Sequence, residues 1–324
     1  MIGAVARRLK TLAARSFHGA APIILLYHRV TDIACDPWGL AVHPKRFKEQ
    51  IDALTRSRRV VHLHEIQMAE ESRSSRDKPL AAVTFDDGYH DVYTNARRIL
   101  AVYDCPITLF VTTSAIGATR EFWWDVISRV FLEIESLPAQ LALKIAGKTC
   151  FWSVPSALHR AEREKIHREI WTELRRLPHD AQMSVVQELG RWAGCDLTAR
   201  PSHRTMTREE VLNISDGLVA IGAHTVTHPT LPAHAYQSQY YEIAKSRRAC
   251  QELIGRPVAA FAYPFGDYDE ATISAVRRAG FSLACTVEAG VVKPRTDQFR
   301  LPRLYVRDWN GDEFQKRLWE DPFR

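Results

Sequence analysis

The sequence predicts an α/β fold, built either as a barrel or as a doubly wound sheet. Short apolar runs of strand length recur along the chain, and segments with helical periodicity lie between them. Each run is apolar at successive positions, which is typical of strands buried on both faces in a parallel sheet. One long segment in the middle of the chain breaks this alternation and predicts an insertion.

The predicted strands end in polar or Gly-containing sequence. They are Pro22–Tyr27, Leu80–Phe85, Ile107–Thr112, Leu218–Ala223, Val258–Tyr263 and Phe281–Thr286. The predicted helices lie between these runs. They are Pro44–Arg56, Tyr93–Tyr103, Gln237–Gly255 and Asp269–Ala279. In the first helix, Phe47, Ile51 and Leu54 recur at the spacing of one helix face.

Residues 121–205 are predicted to form a helical insertion packed on the main domain, which spans residues 22–324. The segment opens with Phe122-Trp123-Trp124-Asp125 and is rich in helix-forming residues. Several apolar residues approximate one helix face: Leu158, Ala161, Ile166, Ile170, Leu174 and Leu177. The two tryptophans could either stack on a sugar ring or pack in the core of the insertion.

The composition is that of an ordinary globular protein, because 46% of the 324 residues are hydrophobic and 25% are charged. The formal net charge of +6 is a small excess. The Lys and Arg residues are spread along the chain, which predicts a solvated surface and no nucleic-acid partner. The six cysteines form no C-x-x-C pair. This pattern argues against a zinc ribbon or a redox motif and fits reduced thiols in a cytosolic protein.

Residues 1–21 are predicted to form a basic N-terminal helix. Four basic residues lie there within a short apolar pattern: Arg7, Arg8, Lys10 and Arg15. A signal peptide would need a longer apolar core, and no stretch of the chain approaches the length of a transmembrane helix. We therefore expect a cytoplasmic protein. Two interpretations of this helix stay open. It either makes a weak peripheral contact with anionic lipid or, more simply, is an ordinary surface helix.

Two adjacent carboxylates, Asp86 and Asp87, end the predicted strand Leu80–Phe85. Burying two like charges is unfavourable unless a cation or a proton compensates for them. If the strand continues, the two side chains point to opposite faces, and Gly88 then allows a sharp turn. One acid can thus hold a metal while the other moves a proton. The alternative is an N-cap Asp beside a turn Asp.

Two histidines, His224 and His228, lie four residues apart just after another predicted strand. This spacing allows both imidazoles to reach one ion, and Pro229 favours a loop or a short turn around them. A pair of loop histidines that only form hydrogen bonds is the alternative for an isolated H-x-x-x-H. Together with the acid pair, one carboxylate and two imidazoles predict a catalytic metal site with open coordination positions.

These motifs resemble those of the polysaccharide deacetylases with the NodB homology domain, a family similar to carbohydrate esterase family 4. The matching segments are Thr84-Phe85-Asp86-Asp87-Gly88, His224 to Pro229 and Phe261-Ala262-Tyr263-Pro264-Phe265-Gly266. The resemblance implies a distorted (β/α) barrel with about seven parallel strands. It also implies metal-dependent hydrolysis of an acetamido group on a sugar, which releases acetate and leaves an amine.

The resemblance also implies residue roles. Asp87, His224 and His228 match the metal ligands, for which Zn²⁺ is favoured and Ni²⁺, Co²⁺ or Fe²⁺ are alternatives. Asp86 matches the base that takes a proton from a metal-bound water, and the backbone N–H of Phe265 matches an oxyanion donor. The turn around Phe265 is expected to contact the substrate. The residues concerned are Tyr263, Pro264 and Asp267.

The sequence departs from the family pattern at two positions. Ala262 stands where the family carries an Arg that pairs with the base, and Arg303 stands near the usual late His, which acts as the acid. His28, at the end of the first predicted strand, resembles the acid of the branch typified by poly-N-acetylglucosamine deacetylases. We therefore expect His28 to be the acid and Arg303 to orient Asp86. The alternatives are a structural His28 and an ordinary surface Arg303.

The predicted function is removal of an N-acetyl group from an N-acetylated saccharide. The saccharide is either free or linked to a lipid. The expected cytoplasmic location favours an intermediate of exopolysaccharide biosynthesis over a finished extracellular polymer. One alternative is another hydrolase of non-peptide amides with the same fold, such as a sugar-lipid deformylase. A second alternative is a catalytically inactive carbohydrate-binding homologue, which the residues at 262 and 303 would explain.

Overall fold

The computed structural model of this chain describes residues 21–66, 68, 74, 76–156 and 159–320. The predicted basic helix within residues 1–21 therefore lies outside the described residues, apart from Ala21. Among the described helices, none is both long enough and apolar enough to cross a membrane.

The strands of the described residues confirm the six that the sequence predicts, with ends that differ by at most two residues. They are β1 (Ile23–Tyr27), β2 (Arg29–Val30), β3 (Ala41–Val42), β4 (Arg59–Val60), β5 (Leu80–Phe85), β6 (Ile107–Val111), β7 (Gln140–Ile145), β8 (Lys148–Ser153), β9 (Val219–Ala223), β10 (Ala260–Ala262), β11 (Leu283–Cys285) and β12 (Leu304–Tyr305). The additional strands of the main sheet, β4 and β12, have only two residues each, too few to show an apolar run.

The helices include the four that the sequence predicts. They are α1 (Pro44–Ser57), α2 (Arg97–Val102), α3 (Trp123–Ser128), α4 (Arg160–Leu174), α5 (His179–Ala193), α6 (Arg208–Ile214), α7 (Tyr236–Ile254), α8 (Glu270–Arg278) and α9 (Gly311–Glu320). A π-helical turn at Val92–Ala96 leads into α2. Asp269 caps α8, because its side chain accepts a hydrogen bond from the backbone N–H of Thr272.

The main sheet is parallel. Its strands lie side by side in the order β11, β10, β9, β6, β5, β1 and β12, and β4 pairs with the start of β5. The prediction of about seven parallel strands is therefore confirmed. Helices lie in most connections between successive strands, as is usual for parallel pairing, whereas the connection from β11 to β12, which the structure describes throughout, has none.

A short segment, residues 301–305, joins the two edges of this sheet. Leu301 forms a parallel bridge with Cys285 at the end of β11, and β12 pairs with β1. Because one segment contacts both edge strands, the sheet curls into a distorted barrel. The strand pattern alone was compatible with an open doubly wound sheet. The closed arrangement of the strands excludes that alternative.

The carboxyl ends of the strands meet at one end of the barrel. His28 follows β1 directly, Asp86 follows β5 and His224 follows β9. Three residues that are distant in sequence thus arrive at the same rim. The topology alone therefore predicts that their side chains share one site.

Two apolar layers hold the sheet. Small and apolar side chains such as Ala82, Ala262 and Phe110 form a cluster on one face of the strands. The opposite face packs against the helices in a larger cluster that includes Phe47 of α1. At Gly222 of β9 a Cβ atom would collide with the ring of Phe110, so this position needs a residue without a side chain.

The insertion at residues 121–205 has its own apolar cluster. Ile166, Ile170 and Leu174 form the buried face of α4, as the periodicity predicts, whereas Leu158 lies outside the described residues. The antiparallel hairpin of β7 and β8 is not predicted by the sequence analysis, which expected helices throughout. Burial alternates along β7, so its period is that of a half-buried strand.

Candidate active site

The acid pair lies in a sharp turn. Strand β5 ends at Phe85, and Asp87 and Gly88 adopt φ angles of 75° and 90°. This left-handed region is uncommon for a residue with a side chain. The strand therefore ends at Phe85, as predicted, and does not continue through the acid pair. The two carboxylates diverge because the backbone turns between them, and both are buried, with Asp86 2% and Asp87 4% exposed.

Asp87, His224 and His228 converge on one point. The Oδ1 atom of Asp87 lies 3.6 Å from Nε2 of His224 and 3.4 Å from Nε2 of His228. The donor atoms of the three residues all lie within 4.8 Å of one another. Tetrahedral coordination with bonds of about 2.0–2.1 Å separates neighbouring donors by about 3.3–3.4 Å. The observed spacing is therefore close to that of three ligands around one ion.

The chemistry of these donors fits a divalent cation. Oδ1 of Asp87 is buried and accepts no hydrogen bond from any described residue. Nδ1 of His224 lies 2.8 Å from the carbonyl oxygen of Ala262, which leaves Nε2 for the shared point. Burial lowers the pKa of His224 and of His228 to about 4, so both imidazoles are neutral at pH 7. Neutral imidazoles are the form that binds a metal.

The loop that carries the histidines is held by a residue that the sequence analysis did not single out. Glu242 of α7 accepts hydrogen bonds from the backbone N–H groups of Val226 and Thr227 and from the Thr227 hydroxyl. His228 has a φ of 59°, an uncommon conformation for a side-chain-bearing residue. These contacts explain how the loop keeps that conformation. Glu242 carries no local sequence signal, because it contacts the loop from the next helix.

Asp86 is not one of the three converging residues and instead binds Arg303. The guanidinium donates to both carboxylate oxygens, with Nη1 to Oδ1 at 2.8 Å and Nη2 to Oδ2 at 2.7 Å. Arg303 is 0% exposed and also donates to Thr84 Oγ1 and to the Thr286 carbonyl. Burial alone would raise the pKa of Asp86, but the charge of Arg303, assisted by His224, holds it at about 2. Asp86 is therefore ionised at neutral pH.

His28 lines the same cavity as Asp86, Asp87 and both histidines of the loop. Its ring lies 5.2 Å from the ring of Tyr305, and its Nδ1 atom has no hydrogen-bond partner among the described residues. Burial lowers the pKa of His28, although Asp87 and Asp86 act in the opposite direction. The imidazole is thus predominantly neutral at pH 7 until it receives a proton.

Phe265 also borders the cavity. It lies in the 3₁₀ turn Pro264–Gly266 with a φ of 57°. As the second residue of this turn, it has no carbonyl inside the turn to accept from its backbone N–H. Its ring packs edge-on against His228, with the ring centroids 4.5 Å apart. The backbone N–H is therefore available at the position that the family resemblance implies.

The three expected substrate contacts differ in their surroundings, because Tyr263 lines the cavity whereas Pro264 and Asp267 do not. The hydroxyl of Tyr263 donates to the carbonyl of Phe299, and its side chain is fully buried. Pro264 is buried and is not part of the cavity lining. The carboxylate of Asp267 pairs with Arg175 of the insertion. The structure therefore gives no support for hydrogen bonds from these side chains to a sugar.

Aromatic residues that the sequence analysis did not assign form much of the wall. Trp38, Trp171 and Tyr305 line the cavity, and so does Trp124, whereas the indole of Trp123 lies in the core of the insertion. The cavity has a volume of about 220 Å³. Trp38 and Trp171 lie in a loop and in the insertion, far from the recognised motifs, so no local pattern marks them.

Comparison with known proteins agrees with the family resemblance. A family model described as polysaccharide deacetylase matches residues 73–138 and 196–284. A Bacillus subtilis (strain 168) protein, YxkH, whose name assigns it provisionally as a polysaccharide deacetylase, is 26% identical over 101 residues. That match covers 31% of this chain and 36% of YxkH, so the chain aligns with only about a third of this relative.

Two solved structures share the fold. The Streptococcus pyogenes deacetylase PplD, solved in complex with acetate, has a TM-score of 0.60 at 17% identity, covering 91% of this chain and 97% of PplD. IcaB from Ammonifex degensii has a TM-score of 0.60 at 19% identity, covering 93% and 97% of the two chains. The residues matched by the family model include both acids and both histidines of the site. We conclude that this chain is a member of the polysaccharide deacetylase family, whose members hydrolyse non-peptide carbon–nitrogen bonds.

Proposed function

We propose that this protein is a metal-dependent hydrolase that removes the N-acetyl group from an N-acetylated saccharide. The observation that carries this proposal is the division of work between the two neighbouring acids. Asp87 shares one point with His224 and His228, whereas both carboxylate oxygens of Asp86 accept hydrogen bonds from Arg303. A cation site and an ionised base thus lie side by side in one cavity.

Asp87, His224 and His228 would hold the cation, which we propose to be Zn²⁺, with Ni²⁺, Co²⁺ or Fe²⁺ as alternatives that suit the same donors. A divalent cation bound there supplies Lewis acidity, which polarises the amide carbonyl and makes a water molecule more acidic. Three protein ligands leave coordination positions open, which is the arrangement of a catalytic and not of a closed structural site.

Asp86 takes the proton that the attacking water loses. Its carboxylate is ionised, and the two hydrogen bonds from Arg303 fix its orientation. A carboxylate with a pKa of about 2 is a weak base, so it accepts a proton efficiently only from a water that has already become acidic. Arg303 therefore lowers the basicity of Asp86 but keeps its carboxylate ionised and in a fixed orientation.

The amide oxygen gains negative charge as water adds to the carbonyl carbon. The backbone N–H of Phe265 donates a hydrogen bond to this oxygen, because a fixed donor stabilises charge that develops during the reaction. The carbon–nitrogen bond then breaks, and the nitrogen needs a proton to leave as an amine. His28 gains the proton that Asp86 took from water and donates it to the nitrogen, while the second proton of the water stays on the new carboxyl group. The products are acetic acid and an amine, which ionise in solution to acetate and an ammonium group.

Acetate release measured on the wild type and on Asp86→Asn and His224→Ala tests the proposal. We expect both variants to lose activity by about 100-fold or more, while His64→Ala, an exposed histidine outside the cavity, stays active. Near-wild-type acetate release from Asp86→Asn would refute the assignment. A formate assay on formylated sugars identifies a deformylase, and sugar binding without any turnover identifies an inactive binding protein.

A further inference from the structure

Two aromatic rings from separate parts of the chain meet beside the candidate active site. Trp38 lies in the loop between β2 and β3, and Trp171 lies on α4 of the insertion. Their ring centroids are 4.7 Å apart, with an angle of 36° between the planes. Both rings line the cavity that contains Asp86 and Asp87. Where the two rings meet, the loop and the insertion together close the cavity on that side.

The insertion makes direct contacts with loops of the candidate active site. Arg175, one turn after Trp171, stacks on the rings of Trp171 and Phe265, with its guanidinium carbon 4.7 Å from each centroid. It also pairs with Asp267 and donates to the hydroxyl of Thr230, 3.3 Å away. Asp267 and Thr230 belong to the two loops that carry Phe265 and His228. Trp171 is therefore held at a fixed place relative to both loops.

The cavity is small. At about 220 Å³, it is below the range of about 300–1,000 Å³ that is typical of pockets for drug-sized ligands. A volume below that range limits how much of a saccharide the cavity can hold. An inner residue of a polymer needs a groove that is open on both sides, so that the chain can leave in two directions. A closed side leaves a single exit.

Trp38 also has a hydrogen-bond donor without a partner among the described residues. The indole nitrogen of Trp38 is shielded from solvent and has no hydrogen-bond partner among the described residues. A buried donor without a partner is unfavourable, and an acceptor on a bound ligand would satisfy it. Aromatic faces combined with a nearby polar group are well suited to a sugar, whose ring has an apolar face and a rim of hydroxyls.

We propose that Trp38 and Trp171 form an end wall that restricts this enzyme to the terminal N-acetylated sugar residue of its substrate. This inference rests on the proposed deacetylase function and adds its substrate class. The terminal sugar stacks against the wall, and the rest of a saccharide, or a carrier attached to it, leaves through the open side. The wall is a specificity determinant, because it takes no part in the proton transfers.

The test uses the tetramer of β-linked N-acetylglucosamine as a probe, with wild type, Trp171→Ala and Trp171→Phe. Mass spectrometry of the products locates each free amine along the tetramer. We expect the wild type and Trp171→Phe to deacetylate a terminal unit only. Trp171→Ala should also deacetylate inner units, with a KM for the terminal unit raised about 10-fold and kcat changed less than about 3-fold. Trp152→Ala is the matched control, because this tryptophan lies in the same insertion outside the cavity.

Amines at inner units in the wild-type product would overturn the end wall, as would a Trp171→Ala variant with unchanged KM and pattern. A binding measurement separates this failure from a failure of the deacetylase proposal. Saturation-transfer NMR on Asp86→Asn reports which ring protons of the tetramer contact the protein. Contacts that are confined to one terminal unit in Asp86→Asn and spread to inner units in Asp86→Asn/Trp171→Ala support the wall even if the wild type releases no acetate. Contacts along the whole tetramer, or none, refute it.

Discussion

Arg303 and Asp86 form a buried ion pair with two hydrogen bonds, although 217 positions separate them in the sequence. Arg303 lies in the segment that joins the two edges of the sheet, and Asp86 lies at the end of β5. The contact therefore exists only in the closed barrel. It gives Asp86 the guanidinium partner that the family resemblance places at the position of Ala262, and this partner comes from the segment just before β12.

Arg303→Met should destabilise the protein strongly. Removing one partner of a buried ion pair leaves an uncompensated charge and costs about 3–5 kcal/mol. Urea unfolding at pH 7 measures the change in the free energy of unfolding. The double variant Arg303→Met/Asp86→Asn should recover part of this loss, because it removes the orphaned charge as well. Equal unfolding midpoints for wild type and Arg303→Met would contradict the structural role of the pair.

His28→Ala should keep its metal and lose turnover. General acid catalysis contributes about 10²–10⁴-fold to a rate, so kcat should fall by at least about 100-fold. Metal content per chain, measured after desalting, should equal that of the wild type, since His28 is not one of the three donors that converge. Added imidazole should restore part of the turnover. A fully active variant would show that the proton reaches the nitrogen by another route.

Metal binding should persist to a lower pH than free histidines would allow. Burial lowers the pKa of His224 and His228 from 6.5 to about 4, so protons compete for these ligands only as the pH falls towards 4. Metal release on acidification, followed with a zinc indicator, should therefore have its midpoint well below 6.5. Release centred near 6.5 would indicate exposed ligands. Chelation at pH 7 should abolish acetate release, and Zn²⁺ should restore it.

The metal-free protein should lose stability as the pH falls from 6.5 to 4. In the unfolded chain the two histidines bind protons below about 6.5, whereas in the folded chain they stay neutral until about 4. The unfolded state therefore binds more protons between these values, and the free energy of unfolding falls as the pH decreases from 6.5 to 4. Urea unfolding of metal-free wild type and His224→Ala measures this. The variant should show a shallower decrease.

Gly222→Ala should destabilise the barrel by about 1–3 kcal/mol, because the added methyl group collides with the ring of Phe110. Thermal unfolding reports the effect. The double variant Gly222→Ala/Phe110→Leu should be less destabilised than the sum of the two single variants, since a smaller side chain makes room for the methyl group. If the effects of the two single variants were strictly additive, the destabilisation by Gly222→Ala would not come from a collision with Phe110. Gly217→Ala, with no atom within 4 Å of its Cβ position, is the control.

The strands and helices of the barrel were predictable because their signals are local. Apolar runs buried on both faces mark β1, β5, β6 and β9, and the periodicity of α1 marks its buried face. The two-residue strand β12 is too short to form such a run, yet it completes the sheet. The hairpin in the insertion was missed because the segment was interpreted from its helix-forming residues alone.

The acids and histidines of the candidate site can be recognised from the sequence, since they lie in short motifs at the ends of strands. The residues that complete the site become visible only in the folded chain. It places Arg303 against Asp86, brings His28 into the same cavity and sets Trp171 of the insertion against Trp38. The physical reason is that these contacts depend on how the barrel closes and on where the insertion packs, and neither leaves a periodic signal along the chain.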